Sequence, residues 1–190
     1  MFKELKPALF ITLVFTILTG IVYPLAITGI CQVVFPHTAN GSLIEKDGKV
    51  IGSRLIAQGF TKPEYFHPRA SAAGEKGYDA TNSGGTNLAA TNPALAERLK
   101  KDSATFRKEN PDYTGPIPAD AITTSASGLD PDISPANAFA QAARVAAARH
   151  LPAARMDELI RTQIHHRALG FIGEPTVNVL KLNLALDATR

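Results

Sequence analysis

The sequence predicts an α+β protein with one N-terminal transmembrane helix. A single extramembrane domain follows, with a small, mainly antiparallel sheet and about three helices. Three observations lead there. From Ala8 to Phe35 the chain reads ALFITLVFTILTGIVYPLAITGICQVVF, and no Lys, Arg, Asp or Glu stands between Lys6 and Glu45. Asp47-Gly48 then separates two short strand-like runs. Finally, helices opening at Asn92-Pro93 and Ser134-Pro135 precede an alternating apolar run from Val177 to Leu186.

As a helix the apolar run is about 42 Å long, against a hydrocarbon core of about 30 Å. Ala8, Thr12, Thr16, Gly20, Pro24 and Thr28 recur at every fourth residue. Such a row of small side chains is how membrane helices pack on one another, because lipid offers no hydrophobic drive for association. The run is too long for the 7–15-residue apolar core of a signal peptide, and Ile30 before Cys31 is too bulky for a lipoprotein cleavage site. Lys3 and Lys6 precede the span and the next cation is Lys46, which places residues 1–7 in the cytoplasm, 8–35 in the membrane and 36–190 outside. Cys31 is the only cysteine, so the outer domain has no disulfide and relies on its core. Of 20 Lys+Arg and 17 Asp+Glu, two and one precede the span; the remaining 18 and 16 make a near-neutral domain, not a nucleic-acid binder.

Along that domain, Ser42–Lys46 and Lys49–Ser53 flank Asp47-Gly48 as a type I′ hairpin, with Arg54–Gln58 expected to extend the second strand. From Gly59 to Asn92, Gly, Pro, Asn, Thr and Ser recur without periodicity. A loop of that length in a compact domain is more often functional than idle. Asn92 caps the next helix, Pro93 takes its first position, and Leu95, Leu99 and Phe106 share one face until Asn110-Pro111 ends it. Tyr113–Asp132 reads as loop. Ser134 caps the alanine-rich ANAFAQAARVAAARH, and Pro152 separates it from a third helix through Met156, Leu159, Ile160 and Ile164 that stops near Gly170. Val177–Leu186 alternates apolar and polar residues as a half-buried strand does.

Chemistry is sparse in this chain. Ser83-Gly84-Gly85-Thr86-Asn87 has the backbone flexibility of an anion-cradling turn but lacks the spacing and lysine of a P-loop. Asp130-Pro131-Asp132 has too few carboxylates for a calcium cage and reads as a turn. Adjacent His165 and His166, expected on a helix, point apart and are poor metal co-ligands. Ser125 and Ser127 lack the GxSxG setting of a hydrolase elbow. Arg144, Arg149, Arg155, Arg161 and Arg167 read as solvated helix faces. No catalytic constellation and no metal site emerge.

The order of motifs is more specific than any one of them. Tyr23-Pro24, Asn40–Ile44, Gly52-Ser53 with Leu55-Ile56 and Gln58, and Tyr65-Phe66 with Arg69 and Ser71 come first. Ser83–Gly85, Thr91–Pro93, Ser127–Pro131 with Ile133–Pro135, and Gly173–Pro175 with Val177–Leu180 and Leu182-Asn183 follow. Together these resemble the KdpC family, the C subunit of the bacterial high-affinity potassium-transporting ATPase, over nearly the whole chain. The resemblance implies a non-catalytic accessory subunit of an inner-membrane complex, with its domain in the periplasm. Its implied partners are a potassium-selective pore subunit, a P-type ATPase subunit and a small single-span subunit, with membrane lipid around the span. ATP, on the pump subunit, and potassium are substrates of the complex; no cofactor is implied for this chain. The sequence agrees, having no Asp-Lys-Thr-Gly phosphorylation motif, no TVGYG-like filter and one span.

The resemblance also implies a catalytic chaperone that raises the pump's affinity for ATP, with nucleotide contact near Gln58 and around Ser83, Gly84, Gly85, Thr86 and Asn87. An outward-facing domain opposes direct contact, because those residues then lie away from cytoplasmic ATP. Two alternatives remain at this point: a direct nucleotide-binding module, if the domain is cytoplasmic, and a stand-alone membrane-tethered periplasmic binding protein. The chain departs from the family at Arg69-Ala70-Ser71, where Arg-Pro-Ser is usual, and at Leu88-Ala89-Ala90-Thr91, where Leu-Gly-Pro-Thr is usual. It also carries Asp132 where His is favoured.

Overall fold

The computed structural model describes residues 2–189; Met1 and Arg190, at the ends of the expected segments 1–7 and 36–190, lie outside the described residues. The chain forms two compact units, the first ending at Ile51 and the second beginning at Gly52.

The first unit is dominated by one apolar helix, long enough to cross a membrane over Lys3–Val34 and without buried residues in that window. It begins before Ala8, as α1 (Phe2–Ile17), passes through a π turn at Leu18–Val22, and continues as α2 (Tyr23–Val34). Pro24 explains the π turn. Its ring lacks an N–H and would collide with the carbonyl four residues back, that of Gly20, and widening the turn relieves the clash; Tyr23 N–H donates to Leu18 O, five residues back. A one-turn helix, α3 (Pro36–Ala39), then leads to β1 (Leu43–Lys46) and β2 (Lys49–Ser53). The hairpin forms as expected, with Asp47 at φ 53° and Gly48 at φ 72°, both positive as a type I′ turn requires. Arg54–Gln58 does not extend β2. Ser53 Oγ accepts the Leu55 N–H at 3.1 Å, and this local bond turns the chain at Arg54-Leu55.

In the second unit, residues 54–92 carry no helix or strand among the described residues, as expected from Gly59 onward for the long irregular region. Next come α4 (Pro93–Glu109), a one-turn α5 (Ala119–Ile122), β3 (Asp132–Ile133) and α6 (Pro135–Arg149). The chain continues through α7 (Ala153–Thr162), β4 (Ile164–His165), β5 (Thr176–Asn178) and α8 (Val179–Asp187). Both sequence-marked caps form: Asn92 accepts from Ala94 N–H and Ser134 from Asn137 N–H. The sheet is antiparallel in the order β3-β5-β4, pairing Ile133 and Ile164 with Val177 from either side. The core gathers Phe66 from the long loop, Ile133 and Val177 from the sheet, and Val145, Met156, Ile160, Leu182 and Leu186 from α6, α7 and α8.

Two expectations fail in this unit for one reason. The strand expected over Val177–Leu186 ends at Asn178, whose side chain accepts the Lys181 N–H at 3.1 Å and caps a helix instead. Leu, Lys and Asn alternation fits both periods, and burial of Val179, Leu182, Asn183 and Leu186 shows the helical one. Likewise the third helix stops at Thr162 and not near Gly170, so Ile164 and His165 lie on β4, with His165 opposite Thr176. An apolar residue four positions after Ile160 satisfies helix spacing, but pairing with Val177 puts Ile164 in the sheet.

Candidate functional site

The small-residue row lies on the apolar helix. In a regular α-helix each four-residue step drifts by about 40°, so the row from Ala8 to Thr28 would wind about 200° around the axis. The π turn inserts the equivalent of one residue and rotates Pro24 and Thr28 back by about 100°, which keeps Thr12, Thr16, Pro24 and Thr28 nearer one face. Apart from the helix's own backbone and chain neighbours, no atom stands within 4 Å of where a side chain would begin on Gly20 or Gly29, so both leave open surface. Thr19 Oγ1 donates to Phe15 O at 2.6 Å, which satisfies its hydroxyl within the helix.

In the second unit, the segment Ser125–Asp130 is where several stretches of the long loop meet. Ala57 N–H donates to Leu129 O at 2.9 Å, Ser71 Oγ to Gly128 O at 2.6 Å, and Gly84 N–H to Ser127 O at 2.9 Å. Ser83 Oγ donates to the same Ser127 carbonyl at 3.0 Å. Ser71 Oγ in turn accepts the Ala73 and Tyr78 N–H groups. Arg69 pairs with Asp130 at 2.8 Å, and Arg98 donates to Thr86 Oγ1 at 3.3 Å and Thr124 Oγ1 at 3.2 Å. The Ser83–Asn87 stretch therefore spends its Gly84 amide and Ser83 hydroxyl on the domain's own backbone. Gln58 lies elsewhere on the frame, over Gly52, where an added Cβ would collide with its amide group.

The second focus is a cleft of about 220 Å³ among the long loop, α4 and α6, with His67, Tyr78, Glu109, Asn137 and Gln141 in its lining. His67 is its titratable centre. Its Nε2 faces Lys62 O at 3.0 Å and its Nδ1 faces Glu109 Oε2 at 3.4 Å. Its backbone N–H donates to Gln141 Oε1 at 2.7 Å, and Gln141 Nε2 donates back to His67 O at 3.1 Å. Arg144 braces the same group, donating to Gln141 Oε1 at 2.8 Å, Asn110 Oδ1 at 3.0 Å and Pro63 O at 2.7 Å. Burial first, then the Arg144 charge, lowers the His67 pKa from its ordinary value, against the Lys62 carbonyl and Glu109, which raise it. Tyr78, half-buried with its hydroxyl donating to Arg69 O at 2.9 Å, has its pKa pushed up to about 12 by desolvation.

The sign for stability follows. The unfolded chain takes up a proton on His67 at a higher pH than the folded one does, so folding loses stability as pH falls from about 6.5 toward the depressed folded value. Above 6.5 the stability is fully present. His67→Gln is expected to flatten this slope in urea-midpoint measurements at pH 7.5 and 5. An unchanged slope would assign the acid sensitivity to other groups.

Arg144 and Arg149 are not solvated as expected. Arg149 lies over the Tyr65 ring at 4.7 Å and pairs with Asp187 at 2.8 Å, so it ties the loop to α8. Arg155 and Arg167 are exposed and pair with Glu158 and Glu174 at 2.8 and 2.6 Å. Asp132 accepts from Asn178 Nδ2 at 2.9 Å and Thr176 Oγ1 at 3.1 Å, and Asp130 Oδ1 accepts the Asp132 N–H at 3.1 Å, so this pair braces a turn. No group of three or more His, Cys, Asp or Glu able to hold a metal occurs among the described residues. Sequence reasoning passed over His67, Glu109 and Gln141; the one signal was the place of His67 inside the Tyr65–Ser71 motif.

An exposed apolar helix long enough to cross a membrane, joined to a domain whose polar side chains mostly brace its own loops, is compatible with one class: single-pass membrane proteins. Comparison with known proteins makes it particular. The family model "K+-transporting ATPase, c chain" (KdpC) matches residues 5–188. A potassium-transporting ATPase KdpC subunit of Caulobacter vibrioides is 58% identical over 189 residues, 99% of this chain and 94% of the relative. Those of Methylobacterium nodulans and Methylococcus capsulatus are each 51% identical, covering 98% and 100% of this chain and the same shares of the relatives. The chain belongs to the KdpC family, subunits of the potassium-transporting ATPase complex and not catalytic enzymes in themselves.

Proposed function

We propose that this subunit docks through its apolar helix on the pore or pump subunit of the complex, with its N-terminus in the cytoplasm and its domain in the periplasm. The observation that carries the reading is the open small-residue row at Thr12, Thr16, Gly20, Pro24 and Thr28, with nothing packed near Gly20. Lys3 and Lys6 before the span support the orientation. The domain acts by differential contact: by binding one state of the transport cycle more tightly, it favours that state and so raises the pump's apparent affinity for ATP. In this reading it touches neither ATP nor potassium, and Gln58 and Ser83–Asn87 serve the internal frame. The internal use of the Gly84 amide and Ser83 hydroxyl supports that assignment.

One experiment with two arms tests this. Thr16→Leu with Gly20→Leu, in a chain carrying a compartment-sensitive reporter after Arg190, is expected to reduce co-purification of the other subunits about tenfold while the reporter stays active only in the periplasm. Normal yields of complex would remove the docking row. A cytoplasmic signal would restore the direct nucleotide-binding alternative.

A further inference from the structure

We infer that His67 is a proton-operated clamp: on taking up a proton its ring grips Glu109 and fastens the long loop to the C-terminal end of α4 across the cleft. Both residues lie in the second unit, so the clamp works whichever partner the apolar helix meets.

The ring is flanked by two acceptors. Lys62 O stands 3.0 Å from Nε2 and Glu109 Oε2 stands 3.4 Å from Nδ1, and neither a carbonyl nor a carboxylate has a hydrogen to give. A neutral imidazole carries one N–H and answers only one of them, whereas an imidazolium carries two and answers both. The shorter contact takes the single proton, so in the neutral ring the Nδ1 lone pair faces the carboxylate. Lone pairs so placed repel, and 3.4 Å is well beyond the roughly 2.7–2.9 Å of a charged N–H···O bond. One added proton makes this contact attractive and draws the two side chains together by about half an ångström.

The surrounding frame confines the change to this pair. Gln141 holds the His67 backbone from both sides, at 2.7 Å on the N–H and 3.1 Å on the carbonyl. Glu109 ends α4, and the next residue, Asn110, is buried, its Nδ2 donating to Phe106 O and its Oδ1 accepting from Arg144 Nε, both at 3.0 Å. The Glu109 side chain itself is 43% exposed and has room to move.

Charge sets when the clamp works. Glu109 on α4 favours the imidazolium and Arg144 on α6 opposes it. Asp102, also on α4, lines the same cleft but pairs with Arg98 at 3.7 Å; Tyr78 of the long loop, its pKa raised to about 12, is neutral; and α5 contributes Ala121, which bears no charge. The last carbonyls of α4 are the negative end of the helix dipole and favour a cation there. Burial and Arg144 outweigh these gains and bring proton uptake below the ordinary value of about 6.5, so the clamp is open in neutral surroundings and set in acid ones. The domain as a whole still loses stability in acid, because the unfolded chain binds this proton more readily. Within the fold, the proton changes the His67–Glu109 contact.

Nitrogen NMR of the His67 ring, in the full chain in detergent from pH 7.5 to 4.5, tests this. The expected result is a ring protonated at Nε2 alone at pH 7.5 and protonation of Nδ1 with a midpoint below about 6.5. A cross-peak between the Nδ1 hydrogen and the Glu109 side chain is expected to appear with it. Glu109→Gln and Glu109→Ala, at an exposed position, are each expected to lower that midpoint by about one pH unit while the circular-dichroism melt at pH 7.5 is unchanged. A ring that carries its proton on Nδ1 at pH 7.5, that stays neutral down to pH 4.5, or that takes up its second proton without the cross-peak overturns the clamp. So does a midpoint that neither substitution moves.

Discussion

Gly128→Ala is expected to destabilise the domain by about 3 kcal/mol and lower its melting midpoint by about 10 °C. Two costs combine. Gly128 sits at φ 67°, where any residue with a Cβ is strained. A Cβ would also stand 2.6 Å from Gly84 O and 2.8 Å from Ala73 N, both backbone atoms that cannot swing aside. Those neighbours belong to the segments that Ser71 and Ser83 clamp to Ser127-Gly128, so the substitution should loosen the long loop and the Ser83–Asn87 stretch together. Thermal circular dichroism of the full chain in detergent checks it. A shift under about 2 °C would mean that the backbone here yields freely.

Asn183→Ala is the second large effect, again about 3 kcal/mol. Asn183 lies within α8, yet its side chain behaves like a neighbouring strand: Oδ1 accepts the Phe66 N–H at 2.9 Å and Nδ2 donates to Phe66 O at 3.0 Å. Phe66 is fully buried. Removing the amide leaves a buried N–H and a buried C=O without partners, each costing about 1–3 kcal/mol. The substitution should also expose the Phe66 segment to amide exchange ahead of the sheet. Arg155→Ala, which removes an exposed ion pair three residues apart on α7, supplies the contrast, with an expected change of at most about 0.5 kcal/mol. Equal midpoints for Asn183→Ala and Arg155→Ala would refute the anchoring role.

Both residues show how far the chain could be read before folding. Gly128 and Asn183 stood inside recognisable motifs, but their partners, Gly84 with Ala73 and Phe66, lie far away in sequence. Local signals with local causes were legible: the Asp47-Gly48 turn and the Asn92 and Ser134 caps appear where the residues place them, and an apolar N-terminal helix forms, beginning before Ala8 and ending at Val34. Segments with two permitted periods were not. Val179–Leu186 and Ile164-His165 each fit helix and strand spacing, and packing on the core or pairing with β5 made the choice.

The sequence by itself determined an apolar helix long enough to cross a membrane, the caps and turns, and, through its motif order, membership of the KdpC family. Each depends on composition or on residues within a few positions of one another. Only the tertiary structure decided that Ser83-Gly84 is held by Ser127, that Arg144 and Arg149 brace the long loop, that His67 meets Glu109 across a cleft, and that Leu169 and Phe171 stay in solvent. The reason is physical. A loop without periodicity has no local pattern to satisfy, so its polar groups find partners wherever the packed helices and sheet bring them.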